Sequence, residues 1–203
     1  NIPSVLMWNY ADNSQYPCIG SDNELAGEMI AEHVLSLGHR DIACMFPPTS
    51  GNDRASARQM SVLRTLTHAG VTVPDHWQLM TVYSISASKR DTVSLLSNAT
   101  QPTAIICGND ILATGALYGA TAVGLRVPED ISITGIGDFK GAAEIEPALT
   151  TVRIPAKRIG HEAGLALSSA IIKPGSVTTG VLPQVSTPKS ALMTSLYVLL
   201  PSL

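Results

Sequence analysis

Thr103-Ala104-Ile105-Ile106-Cys107-Gly108-Asn109-Asp110 is the stretch on which the fold turns. An uncharged run from Thr103 to Cys107, bounded by Pro102 and Gly108, is long enough for a buried strand and too short for a helix. Asn109-Asp110 then opens a helix that runs to about Val123 and stops at Gly124. Beyond it, Val127-Pro128-Glu129-Asp130 reads as a turn and Ile131 to Ile136 as another strand. Leu149 to Arg153 is a short extended crossover, and a last helix runs from Pro155 to about Ile171 before Pro174-Gly175.

The same alternation extends toward the N-terminus. Ile2 to Met7 is a strand candidate, and Ser21-Asp22-Asn23 caps a helix that runs to about Leu37 and ends at Gly38. Asp41 to Phe46 is a buried strand; Asn52 or Asp53 caps the next helix, to about Ala69. Gln78 to Tyr83 is a strand and Ser88 to Leu96 a helix. Strands alternating with helices of this length predict an α/β fold, a parallel sheet flanked by helices under right-handed crossovers. The tail from Ser176 onward has no clear period; Val181 to Val185 could pair as a strand.

Composition narrows the function. The chain has 203 residues, 45% apolar and 14% charged, against about 25% charged in an ordinary domain. That is the reverse of a disordered composition. A net charge of −3 gives no electrostatic footprint for nucleic acid. Cys18, Cys44 and Cys107 are too few and too scattered for a disulfide framework, which fits a reducing compartment, and the reading is cytoplasmic. No secretory signal opens the chain, and the apolar-leaning Ala191 to Leu203 falls short of the roughly 20 residues that cross a bilayer, so no membrane is expected.

Enzyme templates do not match. There is no dinucleotide or phosphate loop, no nucleophile elbow and no paired-cysteine or zinc-helix motif, so neither cofactor nor metal is expected. His33 and His39 are off the i,i+4 spacing of helical metal ligands; His33 and His161 read as satisfied core or boundary histidines.

The polar residues that stand out follow strand ends, where doubly wound sheets bind ligands. Asn109 and Asp110 follow the strand at 103–107, Asp138 the strand at 131–136, Arg54 and Arg58 the strand at 41–46, and Tyr83 the strand at 78–83. Together they offer two guanidinium forks, an amide, acidic acceptors and an aromatic face, a set suited to a polyhydroxylated small molecule. Each has a plainer reading. Asp110 could be only a helix cap, Asp138 a turn residue, Arg54 and Arg58 a solvated face, and Tyr83 a core residue.

Several collinear segments carry a family resemblance. His33-Val34-Leu35-Ser36-Leu37-Gly38-His39-Arg40-Asp41-Ile42-Ala43 resembles the "HL-x-x-LGH-R-x-IA" segment of lactose-repressor-like (LacI/GalR) transcription regulators. So do Arg54 to Arg58, Pro102 to Ile105 with Asn109-Asp110, Gly124 to Gly135, and Pro147 to Val152. Gly135-Ile136-Gly137-Asp138-Phe139 is similar to the gluconate-repressor branch. The resemblance implies a periplasmic-binding-protein-like effector domain, in which two α/β lobes close around a sugar, nucleobase or sugar acid and the chain crosses between them three times.

Carried over by position, Arg58 matches the family's effector-binding arginine, Asn109 its cleft amide, and Asp138 or Gly137 its cleft acid. Tyr83 falls where an aromatic stacks on the ligand, and Arg54 at another ligand-facing position. Trp8 lies where some members put an acid, Ser61 replaces the usual Gly, and the ending after Leu182 departs from the family's.

The implied organisation is a partial N-terminal lobe at 1–21, a C-terminal lobe at 22–148, a crossover and returning helix at 149–175, and an unassigned tail at 176–203. The DNA-binding helix-turn-helix and the first half of the N-terminal lobe are expected to precede Asn1. The resemblance implies a sugar or sugar-acid sensor, not an enzyme, in a homodimer that reaches DNA only through the missing helix-turn-helix. A periplasmic sugar-binding protein of a transporter shares the fold; the buried cysteines and the "GHR-x-IA" string argue against it. An α/β enzyme acting on sugars is a more distant competitor, since no nucleophile or metal set is present.

Overall fold

In a computed structural model of the chain, residues 3–9, 14 and 16–172 are described. The unassigned tail at 176–203, including the strand candidate Val181 to Val185, lies outside them. Among the described residues there are two compact units: Glu24–Arg153 form one, and those up to Asn23 together with 154–172 form the other.

The larger unit holds a five-stranded parallel sheet in the order β4-β3-β5-β6-β7. Its strands are β3 (Ile42–Phe46), β4 (Gln78–Met80), β5 (Ala104–Cys107), β6 (Ser132–Gly137) and β7 (Thr150–Arg153). Every residue of β3, β5 and β6 is buried, as strands covered by helices on both faces are, and β3 and β5 are unbroken apolar runs. The register pairs Ile42 with Ala104, Ala104 with Ser132, and Gly137 with Arg153. The extended stretch after Leu149 is thus a full member of the sheet.

The helices are α1 (Asn23–Ser36), α2 (Asp53–His68), α3 (Ile85–Leu96) and α4 (Asp110–Ala122). From β3 the chain steps through α2 to β4 at one edge; from β5 it steps through α4 to β6 on the other side. Right-handed crossovers running in opposite directions put α2 on one face of the sheet and α3 and α4 on the other. The packing agrees. Gly27 of α1 lies against Arg58 and Ser61 of α2, while Gly115 and Gly119 of α4 lie against Ser88 and Thr92 of α3. Strand order therefore reverses between β3 and β5, which is where doubly wound sheets open a crevice.

Two boundaries differ from the sequence reading. β4 stops at Met80 instead of reaching Tyr83: Thr81 still donates its N–H to the Phe46 carbonyl at 2.9 Å, and the chain then turns. α3 starts at Ile85, earlier than Ser88, because Ser84 caps it by accepting the Ala87 N–H at 3.3 Å.

In the smaller unit, β1 (Leu6–Asn9) pairs in parallel with β2 (Cys18–Ser21), and α5 (Ala156–Ile172) packs on both. The first strand lies later than Ile2 to Met7, and β2 is an element the sequence pattern does not signal. A glycine in so short a strand weakens that pattern; here Gly20 is needed, because a Cβ would sit 2.5 Å from the Trp8 backbone. No helix among the described residues is long and apolar enough to cross a membrane.

Candidate functional site

The C-terminal ends of β3, β5 and β6 carry the polar residues, and helix starts aim them. Asn109 has extended backbone and caps α4: its Oδ1 accepts the Leu112 N–H at 3.0 Å, which leaves Nδ2 as the donor it can offer. The cap is thus Asn109, and Asp110 is the first helical residue with a separate task. Asn52 caps α2 in the same way, accepting the Ala55 N–H at 3.3 Å, and its Nδ2 donates to the Tyr83 hydroxyl at 3.3 Å. That bond joins the loop after β3 to the loop after β4.

Arg58 spans the reversal point. From α2 its Nη1 donates to the Gly108 carbonyl at the end of β5, at 3.0 Å. Gly108 itself is fixed by sterics, because a Cβ there would stand 2.6 Å from the Phe46 ring. Burial pushes the Arg58 guanidinium down to about 10, Tyr83 and Asp110 push it back up, and Arg54 adds to the lowering. All three groups therefore lie within electrostatic reach of it. Arg54, a turn earlier on α2, is exposed, with Nε 4.0 Å from Asp53. Tyr83 is 46% exposed, a ring face rather than a core residue.

Asp110 organises the far side of the edge. It is 3% exposed; Thr151 of β7 donates to its Oδ1 at 2.6 Å, and the Phe139 N–H donates to its Oδ2 at 2.7 Å. Burial raises its pKa, those two bonds lower it, Asp138 raises it and Arg58 lowers it. The carboxylate fits because residue 135 is glycine, whose Cβ would collide with Asp110 Oδ1. Asp138 follows β6 with a positive φ of 54°, a conformation that Asp tolerates better than most residues. Its N–H donates to Thr151 Oγ1 at 3.4 Å, and its carboxylate accepts from Arg153 Nε.

Arg58, Arg54, Tyr83 and Asn109 thus cluster around the ends of β3, β4 and β5. Asp138 sits beyond Asp110, tied to Arg153 instead of to the arginines of α2. Sequence reasoning missed Asn52, Thr151 and Arg153. Thr151 had a signal, since a hydroxyl in a strand buried on both faces requires a partner. Arg153 had none, because its register against Gly137 exists only in the sheet. His33 departs from expectation: its Nε2 is buried without a partner among the described residues, and burial pushes its pKa down.

Chemically, the rim offers cationic and amide donors, an acid acceptor and an aromatic face, and none of the expected site residues is a nucleophile paired with a base. Among the described residues no group of three or more His, Cys, Asp and Glu side chains could hold a metal ion.

Residues 31–189 match the family model described as a periplasmic binding protein-like domain. The HTH-type transcriptional repressor PurR of Erwinia tasmaniensis is 34% identical over 164 residues, 80% of this chain and 48% of that protein. The chain spans about half the length of the curated relatives it matches. Among solved structures, the transcription regulator GntR from Chromobacterium violaceum is 29% identical with a TM-score of 0.79, over 88% of this chain and 65% of that one. A LacI family regulator from Enterococcus faecium, solved with bound ribose, is 26% identical with a TM-score of 0.74, over 85% and 63%. These relatives are repressors and regulators, not enzymes, and they favour the regulator over the transporter reading. The chain belongs to the periplasmic binding protein-like domain family, as a LacI-like effector-binding domain.

Proposed function

We propose that this chain is the sugar- or sugar-acid-sensing portion of a cytoplasmic, homodimeric transcription repressor, with Arg58, Arg54, Asn109, Asp138 and Tyr83 as its ligand residues. Arg58 forks onto ligand oxygens, Asn109 Nδ2 donates to them, Asp138 accepts from hydroxyls and Tyr83 covers a ring face. Residues 22–148 form the C-terminal lobe in this reading; residues 1–21 and the helix after β7 belong to the N-terminal one. DNA is contacted through a helix-turn-helix outside this chain. An effector that prefers one arrangement of the regulator shifts the population toward it and changes DNA affinity.

The single observation that carries the reading is the Arg58–Gly108 bond at 3.0 Å, which fixes a guanidinium at the point where strand order reverses. Paired arginines on α2 favour a carboxylated sugar over a neutral one, in keeping with the similarity of 135–139 to the gluconate-repressor branch. Titration calorimetry of the full-length regulator against D-gluconate and D-ribose tests this. Heat of binding that falls at least tenfold in affinity in Arg58→Ala supports it. Binding unchanged in Arg58→Ala removes that residue from the site, and binding of neither probe rejects this effector class.

A further inference from the structure

The edge of the sheet opposite the rim is closed by a histidine that effector binding does not use. His39 lies between α1 and β3, half-buried. Its Nδ1 is 2.9 Å from Thr103 Oγ1, just before β5, and its Nε2 is 3.0 Å from Ser132 Oγ, the first residue of β6. Thr103 Oγ1 also donates to the Asp41 carbonyl, just before β3, at 3.1 Å.

With the Thr103 hydrogen assigned to the Asp41 carbonyl, these three contacts define one direction along the chain. A hydroxyl has one hydrogen, and that of Thr103 is committed to Asp41, so Thr103 Oγ1 accepts from His39. Nδ1 therefore carries the ring hydrogen. In a neutral imidazole the other nitrogen is then an acceptor, and the Ser132 hydroxyl donates to it. One unidirectional chain, Ser132 to His39 to Thr103 to Asp41, crosses the starts of β6, β5 and β3.

We propose that His39 is a proton-sensitive staple: when neutral it closes this chain across three neighbouring strands, and a second ring proton reverses the bond from Ser132, strands that buried hydroxyl's hydrogen and loosens the edge. A protonated Nε2 is a donor, so the Ser132 hydroxyl must turn and accept from it, and its own hydrogen loses its acceptor. Ser132 is 4% exposed, so its displaced hydroxyl hydrogen has little water to turn to.

The surroundings do not compensate the added charge. Both ring partners are hydroxyls, not carboxylates. From α1 comes His33, a second imidazole whose buried Nε2 has no partner among the described residues. Arg40 and Asp41 flank the ring in sequence; Arg40 donates to the Leu35 and His39 carbonyls. The Arg126–Asp130 pair ahead of β6 is closed on itself at 2.7 Å. Burial first, and His33 second, hold His39 below the ordinary imidazole range. The unfolded chain therefore takes up this proton first as pH falls. The staple's stability is fully present above about 6.5, the unperturbed imidazole value, and is lost as pH drops through and below it.

Urea unfolding of the chain between about pH 7.5 and about pH 5.5, either side of the free imidazole value, tests the staple. The wild-type midpoint is expected to fall on acidification, and the fall to be at least halved in His39→Gln and in Ser132→Ala. An equal fall in wild type and His39→Gln overturns the proposal. Should His39→Gln not fold, nitrogen NMR of the wild-type imidazoles decides. An Nδ1–H tautomer of His39 that titrates below about 6.5 is expected; an Nε2–H tautomer, or titration at or above that value, overturns it.

Discussion

Thr151 donates its hydroxyl to Asp110 Oδ1 at 2.6 Å, and that contact ties the first turn of α4 to the last strand of the sheet. Through the same oxygen Thr151 accepts the Asp138 N–H, so one buried carboxylate sets the loop that presents Asp138. Asp110→Ala strands the Phe139 N–H and the Thr151 hydroxyl, and is expected to cost about 2–3 kcal/mol. Asp110→Asn retains an acceptor for one of them and is expected to cost less. Urea titrations at neutral pH rank the two.

The same carboxylate has a pH signature. Burial raises its pKa in the folded chain, so the unfolded chain releases this proton first as pH rises. Its contribution is fully present below the ordinary carboxyl value and lost as pH rises through the raised folded value. The stability difference between wild type and Asp110→Asn is therefore expected to move in favour of wild type on acidification from neutral pH. A constant difference from about pH 7 down to about pH 4, the unperturbed carboxyl value, would contradict this.

Asn109 has two tasks that one substitution can separate. Asp caps a helix as well as Asn does, whereas Ala costs about 1 kcal/mol. Asn109→Asp is expected to melt close to wild type yet lose effector affinity, because it replaces the Nδ2 donor by an acceptor. Asn109→Ala is expected to lose both, as melting curves and calorimetry together would record.

Helix packing gives a contrast between glycines. A Cβ on Gly115 would lie 2.5 Å from the Ile85 carbonyl and one on Gly119 2.8 Å from the Lys89 carbonyl, both backbone atoms. Gly115→Ala and Gly119→Ala are expected to destabilise by about 1–3 kcal/mol despite alanine's helix propensity. Gly160 on α5 has open space around it, and Gly160→Ala is expected to stabilise by roughly 0.5–1 kcal/mol. Thermal melts distinguish the signs.

Cys44 and Cys107 are central in the sheet, and burial pushes Cys44 up to about 12 and Cys107 higher still. Thiolates are the reactive form, so both are expected to resist iodoacetamide in the native chain and to react on unfolding. Mass spectrometry before and after urea reads this directly.

The sheet was legible because β3 and β5 are apolar runs bounded by turn residues, and period and punctuation suffice for such elements. Arg58, Arg54, Tyr83 and Asn109 were legible because each follows a strand end, and parallel topology sends all such ends to one edge. What escaped depends on register. Arg153 meets Asp138 only because β7 pairs with β6, and Asn52 meets Tyr83 only because β4 lies beside β3. Nothing local in the sequence encodes those neighbours. β2 escaped for another reason: its glycine answers the close approach of β1, a demand made by the partner strand.

Residues 24–153 form one uninterrupted stretch of the larger unit, while the smaller unit joins described residues up to Asn23 to those at 154–172. Closing so long an intervening loop carries an entropic cost that a locally connected unit does not bear. During synthesis, then, β1 and β2 wait for α5 until the whole of residues 24–153 has been made.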